Sequence, residues 1–134
     1  MRRHLTVLAL TLALPFAACA DNTGPEDTFE GTYTLEAING AALPWLAVEI
    51  DADKVEVASG AITLLSDGTF TDRMTFSITE GGVTRTESDV YAGMYVRTPT
   101  GATLSPMGFD PYTVEITGTT MTQMINEFEL TYRK

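Results

Sequence analysis

From Thr69 to Thr79 the chain alternates: Phe70, Met74, Phe76 and Ile78 take one parity, and Thr69, Thr71, Arg73, Thr75, Ser77 and Thr79 the other. A period of two places these side chains on opposite faces of a β-strand, whereas a helix, with a period of 3.6, would scatter them around its surface. The run therefore reads as a strand with one face in a core. The same alternation recurs in Phe29 to Ile38, in Val55 and Val57, in Ile62 and Leu64, in Val90 to Arg97, in Tyr112 to Thr117 and in Phe128 to Arg133. Between these runs stand turn signals: Asn39-Gly40, Asp51-Ala52-Asp53, Ser66-Asp67-Gly68, Glu80-Gly81-Gly82, Thr98-Pro99-Thr100-Gly101 and Gly118. Such residues tolerate positive φ or start a tight turn, so each marks a place where the chain reverses. No segment after the first 28 residues carries a helical period. The expectation is an all-β meander of about eight to ten short strands, a sandwich or, by preference, a small antiparallel up-and-down β-barrel. Closure is favoured because pairing the first strand with the last removes edges that would otherwise template aggregation.

Local breaks refine this pattern. Pro44 has no amide to give to a ladder, so the strand containing Trp45 to Ile50 starts late or lies at an edge. The apolar parity shifts by one residue across Ser59-Gly60, as at a β-bulge. Val83 to Ser88 is polar on both faces and reads as an exposed or edge strand that leads with little break into Val90 to Arg97. Ser105-Pro106-Met107-Gly108-Phe109-Asp110-Pro111 is too rich in Pro and Gly for regular structure, and its Met107 and Phe109 make it the lid candidate.

The amino terminus has a different character. Arg2 and Arg3, the apolar stretch Leu5 to Phe16 and the small pair Ala17-Ala18 follow the order of a secretory signal peptide. The stretch is short for a membrane span. Placed directly after the alanines, Cys19 makes the segment resemble the lipobox of bacterial lipoproteins, which implies an acylated cysteine at the mature amino terminus. The other reading is ordinary cleavage after Ala18 or Ala20, leaving Cys19 lost or a chance thiol. The layout expected is a signal peptide at 1–18, a lipidated polar spacer at 19–28 and a β-barrel domain at 29–134. Several acyl chains hold a protein stably at a bilayer, at about 0.8 kcal/mol per buried methylene. The expected location is the cell envelope, either the outer membrane facing the periplasm or the cell surface.

Without the leader, 116 residues remain, enough for one domain that buries about two thirds of its unfolded surface. Cys19 is the only cysteine, so no disulfide forms within the chain and the hydrophobic core carries the fold alone. Loss of Arg2 and Arg3 leaves 6 basic and 18 acidic residues, a net charge of −12. Lys54, Arg73, Arg85, Arg97, Arg133 and Lys134 are scattered, which disfavours nucleic acid as a partner.

Gly31-Thr32-Tyr33-Thr34-Leu35, the following Ile38-Asn39-Gly40 and Leu43-Pro44, and Ser66-Asp67-Gly68-Thr69-Phe70 resemble the small lipocalin-like lipoproteins of bacteria. Those open on Gly-Thr-Trp/Tyr and carry Asp-Gly-Thr-Phe turns. The resemblance implies a lipocalin-like barrel and carriage of a small ligand.

The chemistry points away from catalysis. The sole histidine, His4, lies in the leader, so the expected mature chain has no imidazole for a triad or a transition-metal site. Asp51, Asp53 and Glu49 could share calcium only in a run that puts Lys54 where an oxygen ligand belongs and has no turn glycine, so a solvated turn is the expectation and no metal or cofactor is implied. Asp72 falls on the apolar parity between Phe70 and Met74, where a carboxylate must be paired, hydrated or protonated. It is either a polar contact in a ligand cavity or a residue near the barrel mouth or a bulge. The inward set of Tyr33, Phe70, Met74, Phe76, Tyr112 and Phe128, with Tyr132 and Trp45, either lines a cup or fills the barrel, since an eight-stranded interior is only just wide enough for its own side chains. Two functions follow: a non-catalytic binder of a small apolar or amphipathic ligand beneath the Ser105 to Pro111 loop, or a filled barrel that meets an envelope protein.

Overall fold

The computed structural model describes residues 29–134; Cys19, the leader and the spacer lie outside the described residues. Among the described residues ten strands follow one another without a helix: β1 (Gly31–Ile38), β2 (Ala41–Ala42), β3 (Trp45–Ile50), β4 (Asp53–Leu64), β5 (Thr69–Glu80), β6 (Val83–Thr98), β7 (Gly101–Pro106), β8 (Tyr112–Thr117), β9 (Thr120–Ile125) and β10 (Phe128–Arg133). All pairings are antiparallel. β4 to β10 form a meander, and β1 closes it by pairing β10 on one edge and β4 on the other. The result is a closed eight-stranded barrel with β2 and β3 as additional strands, so the expected fold class is the observed one.

β1 changes partner along its length. Gly31 to Thr34 pair with Leu64 to Ala61 of β4, while Ala37 and Ile38 pair with Ala42 and Ala41 of β2. β4 leaves β1 where its register shifts between Val57 and Ser59, beside the expected bulge at Ser59-Gly60, and its first half pairs β3 instead. The first halves of β4 and β6 and the second half of β5 thus run past the barrel rim with β3 as a four-stranded wing. β3 begins directly after Pro44 and lies at the outer edge of this wing, as its missing amide requires.

Inward and outward residues follow the two-residue period. Tyr33, Leu35, Ile62, Leu64, Phe70, Leu104, Val114, Met121, Leu130 and Tyr132 point inward and are buried. Each large apolar side chain taken from water contributes about 1.5–3 kcal/mol, and with no disulfide among the described residues this interior is what holds the barrel. At one end, which we call closed, lie the turns at 66–68, 99–100 and 118–119 and the entry of the chain at Phe29. There Phe29 packs 6.0 Å from Tyr95, the Arg97 guanidinium lies 4.2 Å over the Phe29 ring, and Tyr33 donates its hydroxyl to the Phe29 carbonyl at 2.8 Å. Arg97 also pairs with Glu30. At the open end, the Asn39-Gly40 turn has the paired positive φ values that its sequence demands, 50° and 75°. Asn39 ties this turn to β10, its amide donating to the Glu129 carbonyl and its side-chain oxygen accepting from the Glu129 amide, both at 2.8 Å.

The exposed Val83 to Ser88 segment runs on into Val90 and beyond as a single sixteen-residue strand, as its sequence suggests. One expectation is revised. Ser105 and Pro106 belong to β7 rather than to the loop, which shortens to residues 107–111. The reason lies opposite them in β6: Pro106 pairs with Gly93, where a Cβ would sit 2.1 Å from the Ser105 carbonyl oxygen and 2.8 Å from the Pro106 Cα. Only glycine admits that approach. Gly93→Ala is expected to lower stability by about 1–3 kcal/mol or more, read as a fall in denaturation midpoint; an unchanged midpoint would show that β7 does not approach β6 this closely.

Candidate functional site

β5 organises the open end. Its inner face reads Phe70, Asp72, Met74, Phe76 and Ile78 from the closed end toward the wing, each step of two residues covering about 7 Å. Phe70 is 2% exposed and belongs to the packed interior, as does Tyr33; of the candidate residues these two fill the barrel and do not line its mouth. Beyond Phe70 the inner face divides.

Met74 and Phe76 face an apolar concavity of about 180 Å³, walled with them by Ile38, Trp45, Val57, Ile125, Phe128 and Leu130. Trp45 and Phe128 meet edge to face, with centroids 5.2 Å apart and planes at 71°. Phe128 remains 40% exposed and Ile125 41%. Val48, Val55 and Ile78 extend the same face along the wing, since each is the register partner of the next. The sequence places Met74, Phe76 and Phe128 at this wall; Trp45 joins because the β1–β4 separation lets β3 fold in beside them.

Asp72 lies on the other side, in a second concavity of about 140 Å³ with Tyr91, Pro106, Phe109, Asp110 and Tyr112. The Tyr112 hydroxyl donates to Asp72 Oδ2 at 2.6 Å, and Phe70 supports the Tyr112 ring edge to face at 6.4 Å. Phe109, from the candidate lid, stands edge to face on Tyr91 at 4.9 Å, while Met107 points to solvent. Deeper in the barrel Tyr132 donates to Gln123 Oε1 at 3.1 Å. Burial pushes the Asp72 carboxyl above its ordinary value of 3.8, an effect that the Tyr112 bond reduces. Burial, and then the adjacent Asp72 carboxylate, push the Tyr112 and Tyr132 phenols up as well. Both therefore stay protonated donors at neutral pH.

Sequence reasoning missed Tyr91, Gln123 and Asp110. Tyr91 pairs in register with Asp72, so once the β5–β6 hairpin is fixed by Glu80 to Val83 its inward direction follows. The apolar residues of the opposite parity, Val90, Met94 and Val96, obscure that signal, and all three are exposed on the outer face.

Elsewhere, Asp53 Oδ1 accepts the Gly81 amide at 2.8 Å and so joins the two turns at the wing tip. Among the described residues no group of three or more His, Cys, Asp or Glu side chains could hold a metal ion. No protein-family model matches the chain, and neither a curated protein nor a solved structure matches it.

Because Asp72 titrates above its unfolded value, the native state holds its proton more tightly than the unfolded chain does. The ionised carboxylate then lowers stability at neutral pH, and this penalty disappears below the unfolded pKa near 3.8. Asp72→Asn, which keeps an oxygen acceptor for Tyr112, should raise the melting temperature at pH 7 and leave it unchanged at pH 3. A loss at pH 7 would show that the Tyr112 bond to the anion outweighs desolvation.

Proposed function

We propose that this chain is an exported, lipid-anchored binding module of lipocalin-like type, non-catalytic, which holds a small apolar or amphipathic molecule at the open end of its barrel. The observation that carries the reading is the concavity between Trp45, Phe76 and Phe128, lined by apolar side chains and left open where the rest of the barrel is filled. Small-molecule sites are concave and mostly apolar with a few placed polar groups, and the mouths of β-barrels are among their usual positions. Asp72 and Tyr112 supply such groups on the adjacent wall.

Trp45 is the only tryptophan of the chain and stands in this wall, so it reports occupancy directly. Titration with a medium-chain alcohol should shift its emission, and Phe128→Ala should weaken that binding tenfold or more, since losing the aromatic surface that the ligand would cover forfeits at least about 1.4 kcal/mol. Saturable binding of the same affinity in the variant would move the site elsewhere.

Anchoring through an acylated Cys19 belongs to the same proposal. Phe29 enters the barrel at the closed end, and the nine residues from Ala20 to Thr28 can span at most about 30 Å. An anchored domain is therefore held within about 30 Å of the bilayer through its closed end. Cys19→Ala should release the protein into the soluble fraction; membrane association unchanged by the substitution overturns the anchor.

A second reading, a barrel that meets an envelope protein, is favoured by Leu65, Val90, Met94 and Met107. All four are exposed on the outer wall, where Leu65, Met94 and Met107 flank a shallow groove. Capture of the ligand at the mouth and contact through this wall use opposite faces of β6.

A further inference from the structure

We propose that the ligand is a cationic amphiphile, whose ammonium group sits between Asp72, Asp110 and the rings of Tyr91, Phe109 and Tyr112, with its apolar body beside Met74 and Phe76. This inference rests on the binding reading above and names the class of molecule that the same mouth selects.

The second concavity has the composition that recognises an organic cation. Three aromatic rings and two carboxylates surround about 140 Å³, roughly the liquid volume of five waters, which suits a compact ammonium head. Aromatic faces attract a cation most strongly when it is partly desolvated, and a nearby carboxylate adds direct charge. A hard metal cation would need six or more oxygen ligands, which this wall does not offer.

The charge there is one-sided. Asp72 is 8% exposed and its partner is a phenol, not a base. No lysine or arginine lines either concavity. Among the described residues Lys54 pairs with Glu56, Arg85 with Glu80 and Glu87, Arg97 with Glu30, and Arg133 with Glu36. On β6 the residue in register with Met74 is Asp89, so an acidic side chain also borders the apolar wall on that side, while Glu87, in register with Phe76, is paired with Arg85. An anionic amphiphile such as a fatty acid would meet this field with its carboxylate buried against Asp72.

The two halves are spaced for one molecule. Asp72 and Met74 are consecutive inward residues of β5, about 7 Å apart, so a head at Asp72 places the first methylenes at Met74.

The test uses the full chain carrying Cys19→Ala and three probes of one tail: octyltrimethylammonium, octanol and octanoate, followed by Trp45 emission and calorimetry below their micellar concentrations. The expected order is ammonium, then alcohol, then carboxylate, with the ammonium at least tenfold tighter than the alcohol at low salt and the gap narrowing as salt rises. Asp72→Asn should cut the ammonium preference to threefold or less without changing octanol affinity. Asp110→Asn, on the exposed loop, should reduce it in the same direction and serves as the variant least able to disturb folding. Equal affinity for ammonium and alcohol overturns the inference and leaves the binding reading standing. A preference that survives both substitutions overturns the placement of the head. Failure of all three probes to bind overturns the inference together with the binding reading beneath it.

Discussion

Barrel closure depends on one strand serving two neighbours. β1 gives one edge to β10 and the other to β4, and without both ladders the meander from β4 to β10 would be an open sheet with two unpaired edges. The arrangement demands that Tyr33, Leu35 and Ile38 all point inward although β1 carries a register shift between Leu35 and Ala37. That shift is what lets Ile38, on an even number, join the odd-numbered Tyr33 and Leu35 in the interior. Closure also fixes the mouth, because β4 releases β1 at the irregularity near Ala58 and Trp45 enters the space that this leaves.

The parts of this design that follow a strict period were legible in the sequence. Phe70, Met74, Phe76 and Ile78 lie on one face as their spacing requires, and Asn39-Gly40 turns as its two residues dictate. The division of the mouth was legible only in part. Asp72 announced itself as a carboxylate on an apolar parity, but its hydrogen bond to Tyr112 joins strands forty residues apart and depends on β8 arriving across the barrel. Tyr91 was hidden by the competing apolar parity of Val90, Met94 and Val96, which hydrophobicity alone would turn inward. The reach of β7 was hidden for another reason. Pro106 reads as a loop residue until Gly93 is placed opposite it, and that pairing is a tertiary fact.

Filled barrel and open recess, set against each other by the sequence, describe different levels of the same molecule. Toward the closed end the interior is occupied by Tyr33, Ile62, Leu64, Phe70, Leu104, Met121 and Tyr132. Toward the open end the strands of the wing diverge from β9 and β10, and the side chains that remain are too few to fill the space. The same alternation that builds the core thus produces a recess wherever the walls part. Its chemistry is set by neighbours along β5: a step of two residues changes the wall from sulfur and an aromatic ring to a carboxylate held by a phenol.

The entry of the chain at Phe29 has a mechanical consequence. Any pull transmitted through that residue runs along β1, whose hydrogen bonds to β10 and β4 lie across the direction of force. Tension is then shared by two ladders loaded in shear, and no hairpin can be unzipped bond by bond from that end. A leash attached there would tug on the most resistant strand of the barrel, while the recess at the far rim feels little of the strain.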